Sequence, residues 1–255
     1  MTVYSVTQRI KSVTQPWGGY IKPKAFKSEL LGDGLAELNP NENVHASLVG
    51  MAVDYLTRFM TGEPVKEAFK ISMMGARCIG EGDKAKALLS EIKGLDDISI
   101  RNAMKLVGFD VCFRAGAALY KPVDEISPDE ATMQNVKTMV ERSLHFLDVY
   151  GPEVLEGFLF EGGYTDVVSA GDGDFMTSDT IWDIKVSKNP ITKNHTLQLL
   201  MYWRMGLHSI HPEFQDIKYL GVYNPRLNMV YRLAVEDIPR NVIDEVEKVV
   251  ICYEA

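Results

Sequence analysis

Gly171-Asp172-Gly173-Asp174-Phe175-Met176-Thr177-Ser178-Asp179-Thr180-Ile181-Trp182-Asp183-Ile184-Lys185-Val186-Ser187 is the stretch from which the fold is read. With Ser178-Asp179 as a two-residue turn, Thr177 closes against Thr180. Counting back then pairs Met176 with Ile181, Phe175 with Trp182 and Asp174 with Asp183. Opposed residues of an antiparallel pair share a face, with Cβ atoms roughly 4.5–5.5 Å apart. Two bare carboxylates so placed repel, and a hard divalent cation between them is the natural remedy. Lys185 follows Asp183 by two residues and shares its face by the period of a strand. A rival partner for Asp183 is Asp166, in Gly163-Tyr164-Thr165-Asp166, but that pairing needs a longer loop than the two-residue turn that hairpins favour.

Helical and extended signals surround the hairpin. Ser127-Pro128-Asp129-Glu130 reads as a helix start, with Ser127 as cap, Pro128 at the first position and Glu130 completing a capping box. Met133, Val136, Val140, Leu144 and Leu147 follow at helical spacing until Gly151-Pro152. Extended segments are expected over 156–169, 172–177 and 180–187, then a helix over 192–206. Strands over 217–223 and 229–235 and a final helix opening at Asp237-Ile238-Pro239 complete the order α-β-β-β-α-β-β-α. The first half reads as helical: 43–60, with Leu48, Met51, Ala52, Tyr55 and Phe59 on one stripe, then 63–79, 82–93 and 97–107. Phe109 to Phe113 fits a strand or a helix end. The expected division is a basic arm and helical region over 1–125, packed on a core over 126–255, the two halves forming one unit.

The formal charge of −8 is unevenly spread. Residues 1–27 carry Arg9, Lys11, Lys22, Lys24 and Lys27 with no acid, and residues 184–212 carry Lys185, Lys188, Lys193 and Arg204 with no acid. Setting those nine aside leaves 18 of the 27 basic residues against all 35 acids. An acidic body with two basic windows can present a local groove to phosphates, for which Lys188, Lys193 and Arg204 are the candidate contacts. The first window also holds Tyr4, Trp17, Tyr20 and Phe26, rings that either stack bases or pack on the body. Cys78, Cys112 and Cys252 lie far apart, which fits a reducing cytoplasm and argues against an iron–sulfur cluster. No apolar run approaches a membrane span, and the first residues lack a signal core, so a cytoplasmic protein without a membrane partner is expected.

Phosphodiester hydrolysis needs an activated water and relief of charge on the phosphorus, which a carboxylate-bound Mg²⁺ or Mn²⁺ and a neighbouring lysine supply. Asp174, Asp183 and Lys185 form that minimal set. With Gln198-Leu199-Leu200-Met201-Tyr202 on the following helix, the chain resembles the PD-(D/E)XK nuclease superfamily. Asp174 stands for its first acid, Asp183-Ile184-Lys185 for its acid-x-lysine, and Gln198 and Tyr202 for the Gln-x-x-x-Tyr signature of the RecB-type exonuclease branch. Gln198 and Tyr202, four apart, share a helix face. That branch carries an upstream Gly-x-x-x-His, where this chain has Gly50-Met51-Ala52-Val53-Asp54; Asp54 is the counterpart and His45 a weaker one.

The resemblance implies an α/β, restriction-endonuclease-like αβββαβ core with a mostly helical N-terminal region. It implies a Mg²⁺- or Mn²⁺-dependent deoxyribonuclease, without an iron–sulfur cluster. Metal would be held by Asp174, Asp183 and Asp54, with Lys185, Gln198 and Tyr202 completing the site. Glu161, Asp166 and Glu141 stand as further oxygen donors. The expected partner is linear double- or single-stranded DNA, in an exonuclease of phage, recombination or defence, with a protein partner or a homo-oligomer as a further expectation. The competing expectation is an inactive nuclease-fold subunit that binds nucleic acid or scaffolds a complex.

Overall fold

Residues 3–32, 34, 35 and 37–253 are described in a computed structural model, and their contacts divide the chain into two units, 1–31 with 147–255 and 32–146. The division falls at neither 125/126 nor a single point. The basic arm belongs with the sheet because it contributes β1 (Tyr4–Ser5), α1 (Val6–Ser12) and β2 (Lys27–Leu30).

The 32–146 unit is helical: α2 (Ala46–Met60), α3 (Val65–Ala68), α4 (Lys70–Cys78), α5 (Gly82–Ser90), α6 (Asp97–Leu106), α7 (Asp110–Arg114) and the first part of α8 (Glu130–Tyr150). Phe109 to Phe113 is therefore helical, Phe109 ending one short turn and the rest lying in α7. The buried face of α2 holds Val49, Ala52, Val53, Tyr55 and Leu56: of the expected stripe Ala52 and Tyr55 are buried, while Leu48, Met51 and Phe59 are half-buried at its edge. The first turn of α8 is capped by Asp129, whose carboxylate accepts from the Thr132 N–H at 2.8 Å. Ser127 instead offers its carbonyl to Asn43 Nδ2 at 2.9 Å. Gly75 is required where α4 crosses the chain at Phe109: a Cβ there would lie 2.0 Å from the Phe109 carbonyl oxygen.

Asp110, 1% exposed, is the polar centre of this unit. Tyr55 Oη donates to one of its oxygens at 2.6 Å and Ser72 Oγ to the other, with Arg114 Nε 3.7 Å away. Burial raises the Asp110 pKa against the opposing pull of Ser72, Tyr55 and Arg114. Asp110→Ala strands both hydroxyls and is expected to cost about 2–4 kcal/mol in urea denaturation. The sign of the pH effect follows from the raised pKa. The folded state holds this proton more tightly than the unfolded state, so the contribution of Asp110 is greatest below the ordinary aspartate range and declines as pH rises through the raised value. Asp110→Asn should remove that slope.

In the other unit, α8 leads into β3 (Leu155–Glu156), β4 (Val168–Ala170), β5 (Phe175–Met176), β6 (Thr180–Ile184), α9 (Lys193–Leu207), β7 (Tyr219–Asn224), β8 (Met229–Ala234) and α10 (Arg240–Glu245), which passes into π-helical turns over Val246–Ile251. Among the described residues, six strands form one mixed sheet in the order β2-β8-β7-β6-β5-β3. The expected strand over 156–169 does not form as one. Its start becomes β3, and its end, β4, pairs in parallel with β1 in a separate two-stranded sheet. Gly157, at φ +58°, and a turn at 161–163 break it between. Strand β6 runs parallel to β7 and the remaining pairs of the large sheet are antiparallel. Parallel neighbours need a crossover, and α9 provides it, lying on the sheet with Leu197, Leu199, Leu200 and Met201 packed among Ile181, Leu220 and Val222. No described helix is long and apolar enough to cross a membrane.

Candidate active site

The hairpin of β5 and β6 sets the site. Phe175 pairs with Trp182 and Met176 with Ile181, and the Thr177 N–H donates to the Thr180 carbonyl at 3.0 Å around Ser178-Asp179. Alternation then puts Ile181 and Asp183 toward α9, and Trp182 toward the opposite face, where its ring meets Tyr150 edge-on at 5.1 Å. Trp182 also requires Gly221 on β7, where a Cβ would lie 2.3 Å from the indole.

Asp183 is 1% exposed in a strand otherwise built of apolar residues and threonine. A charge buried there must be paired. Lys185 Nζ lies 2.8 Å from Oδ1 and 2.7 Å from Oδ2, and Gln198 Nε2 donates to Oδ1 at 3.2 Å. The same amide nitrogen donates to Tyr202 Oη at 2.7 Å. Gln198 and Tyr202 are both buried, one turn apart on the face of α9 that meets β6. Burial and the Asp183 charge push the Tyr202 hydroxyl far above the ordinary tyrosine value, so it keeps its proton as a donor. Burial alone would lower the Lys185 pKa, but Asp183, Asp174 and Asp172 outweigh it and the value is raised; the lysine is an ammonium.

Asp174 sits where the β5–β6 ladder ends. Its Oδ2 accepts from the Ile184 N–H at 2.7 Å, taking the place of the next backbone acceptor. On its other side its carbonyl accepts from Gly157 N–H at 2.7 Å, and Gly173 N–H donates to Phe158 O at 2.9 Å. Gly173 is fixed by this arrangement, since a Cβ there would fall 2.1 Å from the Phe158 ring. The glycine of Gly-Asp-Gly-Asp therefore admits an aromatic ring, and the aspartates flank it.

Two residues beyond those read from sequence belong to this neighbourhood. Asp172, exposed on the Gly171–Gly173 segment, acts electrostatically on both Lys185 and Tyr202. His195, in the first turn of α9, is held below the ordinary histidine pKa by burial and then by the Lys185 ammonium, with Asp183 opposing. Its Nδ1 accepts from the Thr192 N–H at 3.2 Å. The spacing 195, 198, 202 was the signal for it: three polar residues on one helix face.

The other sequence candidates are carried by other elements. Asp166, just before β4, stands next to the two-stranded sheet and outside the β5–β6 register. Glu161 faces His211 Nε2 at 3.3 Å. Asp54, half-buried on α2, and Glu141 on α8 belong to the 32–146 unit. His45 is the N-cap of α2, its Nδ1 accepting from the Ser47 N–H at 3.3 Å. Lys188 and Lys193 are exposed on and just after the loop that follows β6. Arg204 is engaged by Glu247, with Nε and a terminal nitrogen 2.7 and 2.6 Å from Oε1, and lies over the Trp203 ring. The acid-free window thus meets an acid from the C-terminal helix.

The donor set suits a hard divalent cation. Asp183 Oδ2 is buried and has no hydrogen bond of its own, although the Lys185 ammonium lies beside it. No group of three or more His, Cys, Asp or Glu side chains placed to hold a metal occurs among the described residues. Mg²⁺ needs none, being held by one or two carboxylates with water and substrate phosphate. Comparison with protein-family models, with curated proteins and with solved structures finds no match to this chain.

Proposed function

We propose that the protein is a metal-dependent deoxyribonuclease with a PD-(D/E)XK-type core of the RecB-like branch. The observation that carries it is the convergence of Lys185, Gln198 and, through Gln198, Tyr202 on the buried carboxylate of Asp183. A buried acid paired with lysine at a strand end, with a second acid just ahead of the adjoining strand, is an arrangement that perturbs titratable groups for chemistry. Asp174 and Asp183 would hold Mg²⁺ or Mn²⁺, which supplies the Lewis acid when bound.

The chain's own groups have distinct tasks. Lys185, held as an ammonium, orients the attacking water and offsets charge on the scissile phosphate. Gln198 fixes Asp183 and Tyr202 relative to each other. Tyr202 keeps its proton and can donate it in a hydrogen bond to a phosphate oxygen. Lys188 and Lys193, exposed on the segment that follows β6, would contact the phosphates of the bound strand.

Incubation with linear and with circular DNA, with and without Mn²⁺, tests the proposal. Metal-dependent loss of linear DNA alone identifies an exonuclease, and loss of both an endonuclease. No cleavage of either, in any metal, overturns it in favour of a subunit that keeps the fold without the reaction.

A further inference from the structure

Trp17 is 92% exposed, and its setting is not that of a loose tail. It occupies a tight turn closed by the Gly19 N–H on the Pro16 carbonyl at 2.9 Å, with Gly18 and Gly19 at φ +83° and +95°. That left-handed backbone favours glycine at both positions. The turn is tied down on both sides. Gln15 Nε2 donates to Asn194 Oδ1 at 2.9 Å, and Thr196 Oγ1 donates to the Ile21 carbonyl at 2.7 Å. Ile21 and Phe26 beyond it are buried in the sheet unit, and Gly19 fits so closely that a Cβ would lie 2.6 Å from Lys193 Cβ. Lys22 folds its stem along Gly18 and holds its ammonium over the Trp17 ring, 5.7 Å from the centroid. Among the described residues no carboxylate pairs with Lys22.

A single exposed apolar side chain is ordinary. A rigidly presented indole with a cation above it, in a window without acids, has the parts of a nucleotide platform: a π-face for a base and a charge for its phosphate. Its anchors, Asn194 and Thr196, are on α9, the helix that carries Gln198 and Tyr202. At about 1.5 Å of rise per residue, Asn194 is only roughly 6 Å along the axis from Gln198.

We propose that Trp17 stacks on an unpaired base of the nucleic-acid strand led to Asp183, with Lys22 taking the adjoining phosphate. The inference rests on the nuclease reading for its ligand class. It commits to an unpaired base, because bases inside a duplex already have both faces covered.

The 255-residue chain in EDTA, titrated with a single-stranded oligodeoxyadenylate of about twelve nucleotides, provides the test. Tryptophan fluorescence should be quenched on binding, since Trp182 and Trp203 are buried and Trp17 is the exposed indole. Trp17→Ala should bind the labelled oligomer roughly 5- to 100-fold more weakly by anisotropy, with Trp17→Phe restoring most of the affinity. An abasic oligomer of equal length should bind wild type and Trp17→Ala alike, without quenching. Lys22→Gln should shallow the salt dependence by about one unit of slope. Equal affinity of Trp17→Ala and wild type for the adenylate, equal quenching by the abasic strand, or no binding by wild type would each overturn the proposal. Metal-dependent cleavage alongside any of these leaves the nuclease standing. Quenching without cleavage by wild type overturns the nuclease and keeps the platform.

Discussion

Asp183→Asn is expected to abolish metal-dependent DNA cleavage, lowering the rate by about 10³-fold or more, and to remove calorimetric Mn²⁺ binding. Asparagine keeps the size of the side chain and an acceptor for Gln198, but it removes the charge that would hold a cation and that now faces Lys185. The ammonium is then left without its nearest counter-ion. Its side chain is 27% exposed, so water takes up part of the loss, and the stability cost should be about 1–3 kcal/mol, short of that for a fully buried charge. The double variant Asp183→Asn, Lys185→Gln should recover stability without recovering cleavage. Wild-type rates from Asp183→Asn in Mn²⁺ would show that the carboxylate is structural, and any nuclease activity would have to come from another site.

Trp182→Ala should be the most destabilising single truncation of the hairpin, at about 3–5 kcal/mol by chemical denaturation followed by circular dichroism. The indole is fully buried, pressed against Gly221 and Tyr150, and its Nε1 donates to Thr177 Oγ1 at 3.2 Å. Removing it leaves a cavity against a glycine that cannot fill it and strands a buried hydroxyl next to the turn. Trp182 is also the cross-strand partner of Phe175, and the two are next in sequence to Asp183 and Asp174 respectively, so the ladder that places the two acids loosens with it. Trp182→Phe should cost about half as much, because the ring still covers Gly221. A loss below about 1 kcal/mol for the alanine variant would mean that the pairing is held by the backbone and turn alone.

Much of the site was legible in local spacing. The two-residue turn at Ser178-Asp179 fixes which residues pair, since a slip of one residue would turn Ile181 and Asp183 away from α9 and Trp182 toward it. The four-residue step from Gln198 to Tyr202 likewise fixes a shared helix face. What spacing could not supply was partnership across distance. Asp174 was expected simply to oppose Asp183, but its carboxylate is bonded to the Ile184 N–H at the end of the ladder. Arg204 looked available in an acid-free window until Glu247, 43 residues later, met it. His195 and Asp172 gained meaning only once Lys185 stood among them.

The sequence by itself determined the hairpin register, the helix over 192–206 and the two strands that follow it, because turn length and the periods of strand and helix act over a few residues. Tertiary structure decided the rest. It brought the basic arm into the sheet unit, split the expected 156–169 strand between two sheets, and closed Gln198 and Lys185 onto Asp183. The physical reason is that a buried charge and an unpaired strand edge are satisfied by whatever the whole chain brings near them, and that proximity is not written in any local window.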